Sequence, residues 1–211
     1  MRWNYLAIEG NIGAGKSTLA SRLSGHYMAD ILEEEFEDNP LLPAFYRDPS
    51  GFGFPLEISF LIDRYRQLVK GVRPGNRVIS DFWFDKSMVF GGVNLKGEKL
   101  AMFKSLFLEL KTRVPKPDLV LYYHREIEKV KEGIQFRGRE YEKAIEADYL
   151  KRVEKGFMAY LKKEKNVPLL LIPGENFSPG RDREHLLRLV QILDRDFKPG
   201  INEVSGLLKG A

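Results

Sequence analysis

The sequence predicts an α/β domain in which helices flank a five-stranded parallel sheet, and three observations support this fold class. A glycine-rich segment joins the first apolar run to the first helix-forming segment, strands and helices then alternate, and the apolar runs are nearly continuous. Alternation of this kind is typical of parallel sheets, whose strands are covered by helices on both faces and so are apolar throughout.

The individual elements follow from periodicity and from turn-forming residues. Short apolar runs predict strands at Tyr5–Glu9, 31–34, 77–80, 118–123 and 168–172. Apolar residues at helical spacing predict helices at 16–26, 52–70, 98–112, 126–136, 147–163 and 182–197. Turns are expected at 73–76 and 178–180, which contain proline and glycine. We expect a single domain over residues 1–200 and a C-terminal tail over 201–211.

Length and composition narrow the class of protein. A chain of 211 residues fits one domain, and 43% hydrophobic with 30% charged residues is typical of globular proteins. The absence of cysteine excludes disulfides, thiolate metal sites and cysteine catalysis. We expect no membrane span, no signal peptide and a cytoplasmic location. The net charge of +4, without a basic stripe, argues against a nucleic-acid partner.

Residues 10–18, with the sequence Gly-Asn-Ile-Gly-Ala-Gly-Lys-Ser-Thr, are a complete Walker A loop of the P-loop NTPase type. Such a loop follows a buried strand, opens a helix and turns its backbone N–H groups toward the phosphates of a nucleotide. The lysine reaches the terminal phosphates and the following hydroxyl binds Mg²⁺. The loop therefore predicts ATP and Mg²⁺ as cofactors, with Ser17 as metal ligand and a binding segment of Gly10, Asn11, Ile12, Gly13, Ala14, Gly15, Lys16, Ser17 and Thr18.

A second charged segment, at 137–142, lies between two predicted helices. Arg137 and Arg139 are one residue apart, and two guanidinium groups in a loop suit a lid that closes over transferring phosphates. A third charged segment follows the second strand, where side chains point into the ligand crevice of a parallel sheet. Glu34 is the expected proton acceptor there, and a register shift of one residue would give Glu33 or Glu35 instead.

These segments together resemble the deoxynucleoside kinase family, which includes deoxycytidine, deoxyguanosine and deoxyadenosine kinases, and in particular its bacterial branch. The resemblance covers almost the whole chain. It implies phosphorylation of a deoxynucleoside at its 5′-hydroxyl, with Glu34, Lys16, Arg137 and Arg139 as catalytic residues. It further implies sugar and base contacts by Tyr46, Glu57, Arg64 and Glu142, and places Asn176 and Phe177 beside the adenine of ATP.

Two departures from the family pattern concern the substrate. The segment after the third strand lacks the family's arginine; Asp81 keeps an acid there, and Lys86 either supplies the lost charge, takes a base-pocket position or is a surface lysine at a helix start. Glu57 replaces a glutamine. An ionised carboxylate only accepts hydrogen bonds, so Glu57 with Lys86 favours guanine unless Glu57 pairs with Arg64. Either Phe90 or Trp83 is expected to stack on the base.

The sequence thus predicts a deoxynucleoside kinase that favours deoxyguanosine and forms a homodimer through the helices at 52–70 and 98–112. One alternative is a nucleoside monophosphate kinase of the thymidylate kinase type. That enzyme would need an arginine near residues 81–86 for the acceptor phosphate, and the sequence has none there. Another alternative is a non-catalytic nucleotide-binding protein. The altered segment at 80–82 supports it, whereas Lys16, Glu34 and the arginine pair argue against it.

Overall fold

A six-stranded parallel sheet forms the centre of the computed structural model, which describes residues 3–36, 39–175 and 177–204. The strands are β1 (Tyr5–Glu9), β2 (Asp30–Leu32), β3 (Val78–Ser80), β4 (Leu119–His124), β5 (Pro168–Pro173) and β6 (Gly200–Glu203). Their order is β2-β3-β1-β4-β5-β6, and every neighbouring pair is parallel. The α/β class and the five predicted strands are confirmed.

The sixth strand lies where the sequence suggested the start of a tail. β6 pairs with β5 from Pro168↔Gly200 to Leu171↔Glu203, and the Gly200 N–H donates to the carbonyl of Val167. Gly200 has a φ of 89°, a left-handed conformation that glycine adopts without steric cost. The sheet therefore extends at least to Glu203, and residues 205–211 lie outside the described part of the chain.

Helices cover both faces of the sheet. They are α1 (Lys16–Tyr27), α2 (Leu41–Arg47), α3 (Pro49–Gly71), α4 (Lys86–Asn94), α5 (Gly97–Lys111), α6 (Ile127–Arg137), α7 (Ala147–Lys163) and α8 (Arg183–Leu193). The short helices α2 and α4 were not predicted. The helix predicted at 52–70 begins earlier, because Asp48 accepts a hydrogen bond from the Gly51 N–H and caps it. No described helix is long and apolar enough to cross a membrane.

Alternate residues of β1 belong to two different hydrophobic clusters. Tyr5 and Ala7 pack with residues of α3, α4, α5 and α7, whereas Leu6 and Ile8 pack with α1 and α8. A smaller cluster, formed by Leu42, Phe45, Leu56 and Phe60, joins α2 to α3. This third cluster forms one wall of a cleft at the carboxyl ends of β1, β2 and β3.

Candidate active site

The loop between β1 and α1 has the geometry of a phosphate cradle. Gly13 and Gly15 have φ values of 77° and 92°, and a Cβ at Gly13 would lie 2.6 Å from the carbonyl oxygen of Val130. Both positions therefore require glycine. The Nζ of Lys16 donates to the carbonyls of Gly10 and Asn11, each at 3.0 Å. Burial, and next the nearby Lys86, lower the pKa of Lys16 to about 8.

Two buried side chains hold this loop in place. The carboxylate of Glu9 accepts from the N–H groups of Gly10 and Trp83, and so connects the loop to the segment after β3. The amide of Asn11 donates to the carbonyl of Leu150 in α7 at 3.0 Å. Asn11 was expected to bind nucleotide, but its side chain supports the loop, which leaves the backbone for contact with phosphate.

Ser17 and Asp81 meet at the mouth of the loop. The Ser17 hydroxyl donates to Asp81 Oδ2 at 2.5 Å, and Asp81 Oδ1 accepts from the backbone N–H of Glu34 at 2.7 Å. A hydroxyl and a carboxylate beside a phosphate cradle suit Mg²⁺, which takes few protein oxygens and completes its shell with phosphate and water. The described residues contain no cluster of three or more metal-ligating side chains, so a metal would depend on phosphate oxygens as well.

Glu34 lies between two cations. Its Oε1 accepts from Arg64 Nε at 2.7 Å, and its Oε2 accepts from Lys86 Nζ at 2.5 Å. Burial alone would raise the pKa of Glu34, but Lys86 and Arg64 outweigh it and lower the pKa to about 2. Glu33 and Glu35 are exposed, whereas the Glu34 side chain is 8% exposed, so the geometry favours Glu34 among the three candidates.

The position of Lys86 selects among its three predicted roles. Its side chain is buried, which excludes the surface lysine. Its Nζ contacts Glu34 and lies 5.6 Å from the ring centre of Phe90. The contact places the positive charge beside the expected proton acceptor. To act as a base reader, as was also predicted, Lys86 would have to leave Glu34.

A cleft of about 700 Å³ extends from Glu34 between α2, α3, α4 and α7. Its lining includes the predicted substrate residues Tyr46, Glu57, Arg64, Asp81, Lys86, Phe90 and Glu142. Phe90 contributes to the lining, whereas Trp83 packs edge-on against Tyr160 in the core. Of the two predicted stacking residues, Phe90 is therefore the one that faces the cleft.

Glu57 lines this cleft as well and is 1% exposed. The expected alternative, an ion pair with Arg64, is not what the structure has: Arg64 binds Glu34 through Nε and the Ser87 hydroxyl through a terminal nitrogen. Glu57 Oε1 accepts from Asn94 Nδ2 at 2.7 Å, and its Oε2 has no hydrogen-bond partner among the described residues. Burial, opposed by Arg64 and Asn94, raises the pKa of Glu57 to about 7.

The two arginines of the predicted lid converge on Glu142. Arg137 and Arg139 each approach its Oε1, at 3.1 and 3.2 Å, and the guanidinium of Arg139 lies 4.5 Å from the ring centre of Phe36. Glu142 is buried, and its Oε2 has no hydrogen-bond partner in the described part of the chain. The arrangement joins the predicted phosphate-binding arginines to the predicted sugar-binding carboxylate.

A second cleft, of about 1800 Å³, opens on the other side of the phosphate loop. Both clefts are lined by Gly13, Ser17, Glu34, Phe36, Asp81 and Arg137, so they meet at the carboxylates. Arg125 and Arg181 also line the second cleft. Neither arginine was predicted from the sequence, although Arg125 closely follows β4, at the sheet edge where ligands bind.

In the loop after β5, Phe177 was expected to lie beside the adenine of ATP. Phe177 is buried against His185, and its carbonyl accepts from the Tyr123 hydroxyl, so it anchors the loop. The neighbouring Ser178 and Gly180 line the second cleft instead. Asn176 lies outside the described residues.

Asn94, which contacts Glu57 in the acceptor cleft, was not predicted either, because a side chain that contacts Glu57 from another helix leaves no local signal in the sequence.

Comparison with known proteins identifies related chains. The family model described as deoxynucleoside kinase matches residues 6–193. Deoxyguanosine kinase of Bacillus subtilis is 32% identical over 180 residues, which cover 82% of this chain and 87% of the relative. Deoxyadenosine kinase of Dictyostelium discoideum is 30% identical over 194 residues, which cover 89% of this chain and 78% of the relative. A structure of deoxyadenosine kinase from M. mycoides with bound dATP superposes with a TM-score of 0.79 at 22% identity. The superposition covers 90% of this chain and 99% of the other.

Proposed function

The chain belongs to the deoxynucleoside kinase family and phosphorylates deoxynucleosides, and on that premise we propose a donor, an acceptor atom and a preferred base. The donor is ATP with Mg²⁺, the acceptor atom is the 5′-hydroxyl oxygen, and the preferred base is guanine. One observation carries the proposal. Two clefts meet where Ser17, Glu34 and Asp81 line both, so a donor and an acceptor in separate clefts would face each other there.

The acceptor occupies the smaller cleft. Glu57 and Glu34 both line this cleft, and in this proposal the base lies against Glu57 and the 5′-hydroxyl against Glu34. Tyr46 and Phe90 provide apolar surface for the sugar and the base between them. A cleft with largely apolar walls and a few convergent polar groups is typical of a small-molecule site.

The donor's phosphates bind the loop at 10–18, where Lys16 and the N-terminus of α1 provide positive charge. Arg125 and Arg181 line the cleft beyond the loop, where the remainder of the nucleotide would lie. Ser17 and Asp81 are the residues that would hold Mg²⁺, which neutralises charge on the phosphate oxygens when it is bound.

Glu34 accepts the hydrogen bond of the 5′-hydroxyl and orients its oxygen toward the donor cleft. With a pKa of about 2 the carboxylate is ionised throughout the neutral range, but it is a weak base. A weak base suits phosphoryl transfer because the bond to the leaving oxygen is largely broken before the attacking oxygen becomes acidic. Arg137 and Arg139 stabilise the equatorial oxygens of the transferring group.

The preference for guanine rests on Glu57. An ionised carboxylate supplies two acceptors to the adjacent donors of guanine, N1–H and the 2-amino group. The unpartnered Oε2 is such an acceptor, and Oε1 retains a lone pair beside its bond to Asn94. The deoxyguanosine kinase of B. subtilis is a relative at 32% identity, which supports the same base.

We further propose a homodimer formed through α3 and α5, and a cytoplasmic location. On one face of α3, Ile58, Ile62 and Tyr65 are partly exposed and Val69 is 45% exposed, and Met102 and Leu108 of α5 are 62% and 61% exposed. Apolar side chains this exposed on adjacent helices are typical of an interface. Sedimentation of the wild type and of Val69→Glu tests the dimer, and a fluorescent fusion tests the location.

The test of function is a panel of the four common deoxynucleosides with ATP and Mg²⁺, assayed with the wild type and with Glu34→Gln. We expect deoxyguanosine to have the highest kcat/KM. Glu34→Gln should reduce kcat by about 10²–10⁴ with little change in nucleoside affinity, because it removes the proton acceptor and keeps the shape. A higher kcat/KM for another base would refute the guanine preference, and a normal kcat in Glu34→Gln would refute the role of Glu34.

A further inference from the structure

Unlike Glu34 and Glu142, Glu57 has no ion pair with a cation among the described residues of the acceptor cleft. Glu34 has two cations, and Glu142 has the two lid arginines. Glu57 is as deeply buried as these, yet its one described hydrogen bond comes from a neutral amide, Asn94. Glu57 lines the cleft, and its Oε2 is buried and has no hydrogen-bond partner among the described residues.

A buried carboxyl group with a free oxygen can present two different hydrogen-bonding patterns. When ionised it offers two acceptors, which match the N1–H and 2-amino donors of guanine. When protonated it offers one donor and one acceptor, which match adenine, whose N1 accepts and whose 6-amino group donates. A pocket that places hydrogen bonds on one base rejects another base whose groups would leave buried polar atoms unpaired.

We propose that Glu57 changes its protonation state within the neutral pH range and that the preference between deoxyguanosine and deoxyadenosine changes with it. The ionised form selects guanine, and the protonated form selects adenine. This inference extends the proposed function, because it assumes that the base lies against Glu57.

The charged groups on α3 and α4 that face Glu57 are held by partners other than Glu57. On its own helix, Arg64 is bound to Glu34. From α4, Lys86 is paired with Glu34 and Asn94 is neutral. Glu34 itself remains ionised, with a pKa of about 2.

The remaining neighbour comes from α7. Burial raises the pKa of Tyr149, so its hydroxyl stays protonated, and the hydroxyl is bound to Asn94. Burial raises the pKa of Glu57 to about 7, because the cations of Arg64 and Lys86 oppose the effect of burial without cancelling it. Lys16, whose pKa is about 8, lines the same cleft, and the Glu57→Gln variant, which keeps Lys16, separates its effect from that of Glu57.

The experiment measures both nucleosides between about pH 6 and pH 8, one unit on each side of the Glu57 pKa of about 7. Calorimetry without ATP gives the Kd of each nucleoside, and steady-state assays give each kcat/KM. We expect the preference for deoxyguanosine over deoxyadenosine to rise by at least about tenfold from the lower to the higher pH. Deoxyadenosine binding at the higher pH should take up a proton from the buffer.

Two variants separate Glu57 from other titrating groups. Glu57→Gln has the same shape but does not titrate, so its preference should be constant over the same pH range. Asn94→Leu removes the hydrogen bond that stabilises the ionised form, so the pH midpoints for both nucleosides should move upward together. Thermal unfolding shows whether each variant is folded, and Asn94→Leu decides the question if Glu57→Gln is not.

Failure of the inference and failure of the proposed function give different results. If neither nucleoside is phosphorylated at any pH, the proposed function is wrong, and the binding constants still test Glu57. A wild-type preference constant within about twofold across the range overturns the inference. A preference that varies with pH as strongly in Glu57→Gln as in the wild type also overturns it.

Discussion

Removal of the amine of Lys86 should change the chemistry of Glu34, and it should also raise the pKa of Lys16, which Lys86 lowers. Lys86→Met keeps most of the buried stem and deletes the Nζ that lies 2.5 Å from Glu34 Oε2. The Glu34 carboxylate then keeps Arg64 as its one described cation. The two cations together outweigh the effect of burial on the pKa of Glu34. We therefore expect the loss of one cation to lower the free energy of unfolding and to change the pH dependence of kcat.

The size of the effect follows from the pKa of Glu34. Its lowering from 4.5 to about 2 in a nearly buried group corresponds to about 3 kcal/mol. Breaking a buried ion pair costs about 3 kcal/mol or more, which would raise the pKa of Glu34 by about two units, to about 4–5. At pH 7 the free energy of unfolding of the variant should therefore be about 3 kcal/mol lower. Its kcat should fall by about tenfold or more, because a positive charge next to the Glu34 carboxylate is lost.

The pH profile of kcat distinguishes this mechanism from simple destabilisation. A lowered carboxyl pKa stabilises the folded state above its unfolded value of about 4.5, and this stability is lost as the pH falls toward about 2. The wild type should show no loss of kcat from Glu34 at pH 5, whereas Lys86→Met should show a new acidic limb there. Lys86→Arg should restore most of kcat, since it restores the cation.

The matched control is Lys162→Met, which removes an exposed lysine of α7 and should change neither kcat nor its pH dependence. Wild-type kcat and a flat profile down to pH 5 in Lys86→Met would refute the reasoning. Glu34 would then be ionised without help from Lys86, and the positive charge after β3 would have no part in catalysis.

Two further predictions concern the donor side. ATP binding at pH 8 should take up about half a proton from the buffer, because Lys16 has a pKa of about 8 in the free protein and gains phosphate partners on binding. Calorimetry in buffers of different ionisation enthalpy measures this proton uptake. The same uptake in Lys16→Met would contradict the prediction. Arg137→Lys and Arg139→Lys should each lower kcat by about tenfold or more despite the unchanged charge, because lysine cannot form the bidentate fork; steady-state rates equal to wild type would show that neither arginine contacts the transferring group.

The local parts of this protein could be predicted from the sequence, because their geometry depends on neighbouring residues. Glycines at 13 and 15 adopt the left-handed conformations that the loop pattern requires. Glu34 follows β2 by two residues, close enough for strand geometry to place it in the crevice. The same reasoning failed for β6, since the short polar segment Gly-Ile-Asn-Glu has the composition of a tail and becomes a strand by pairing with β5.

Contacts between distant elements could not be predicted in the same way. Asn94 lies on a helix with adjacent glycines that the sequence analysis did not predict, and it meets Glu57 across 37 residues. The partner of Lys86 was equally hidden, because a lysine at a helix start is usually exposed. Its partner Glu34 follows the neighbouring strand β2 and is 52 residues away in the sequence.

Helix α3 connects the two ends of the acceptor cleft. Glu57 and Arg64 are seven residues apart on this helix, so they lie on one face and about 10 Å apart along the axis. That distance is comparable with the length of a nucleoside from the far edge of its base to its 5′-oxygen. Arg64 holds Glu34, and Glu57 lines the same cleft, so under the proposed assignment one rigid element sets the separation of the base from the proton acceptor. A base that satisfies Glu57 therefore places the 5′-hydroxyl near Glu34, and a base that does not fit leaves the hydroxyl out of position even where it binds.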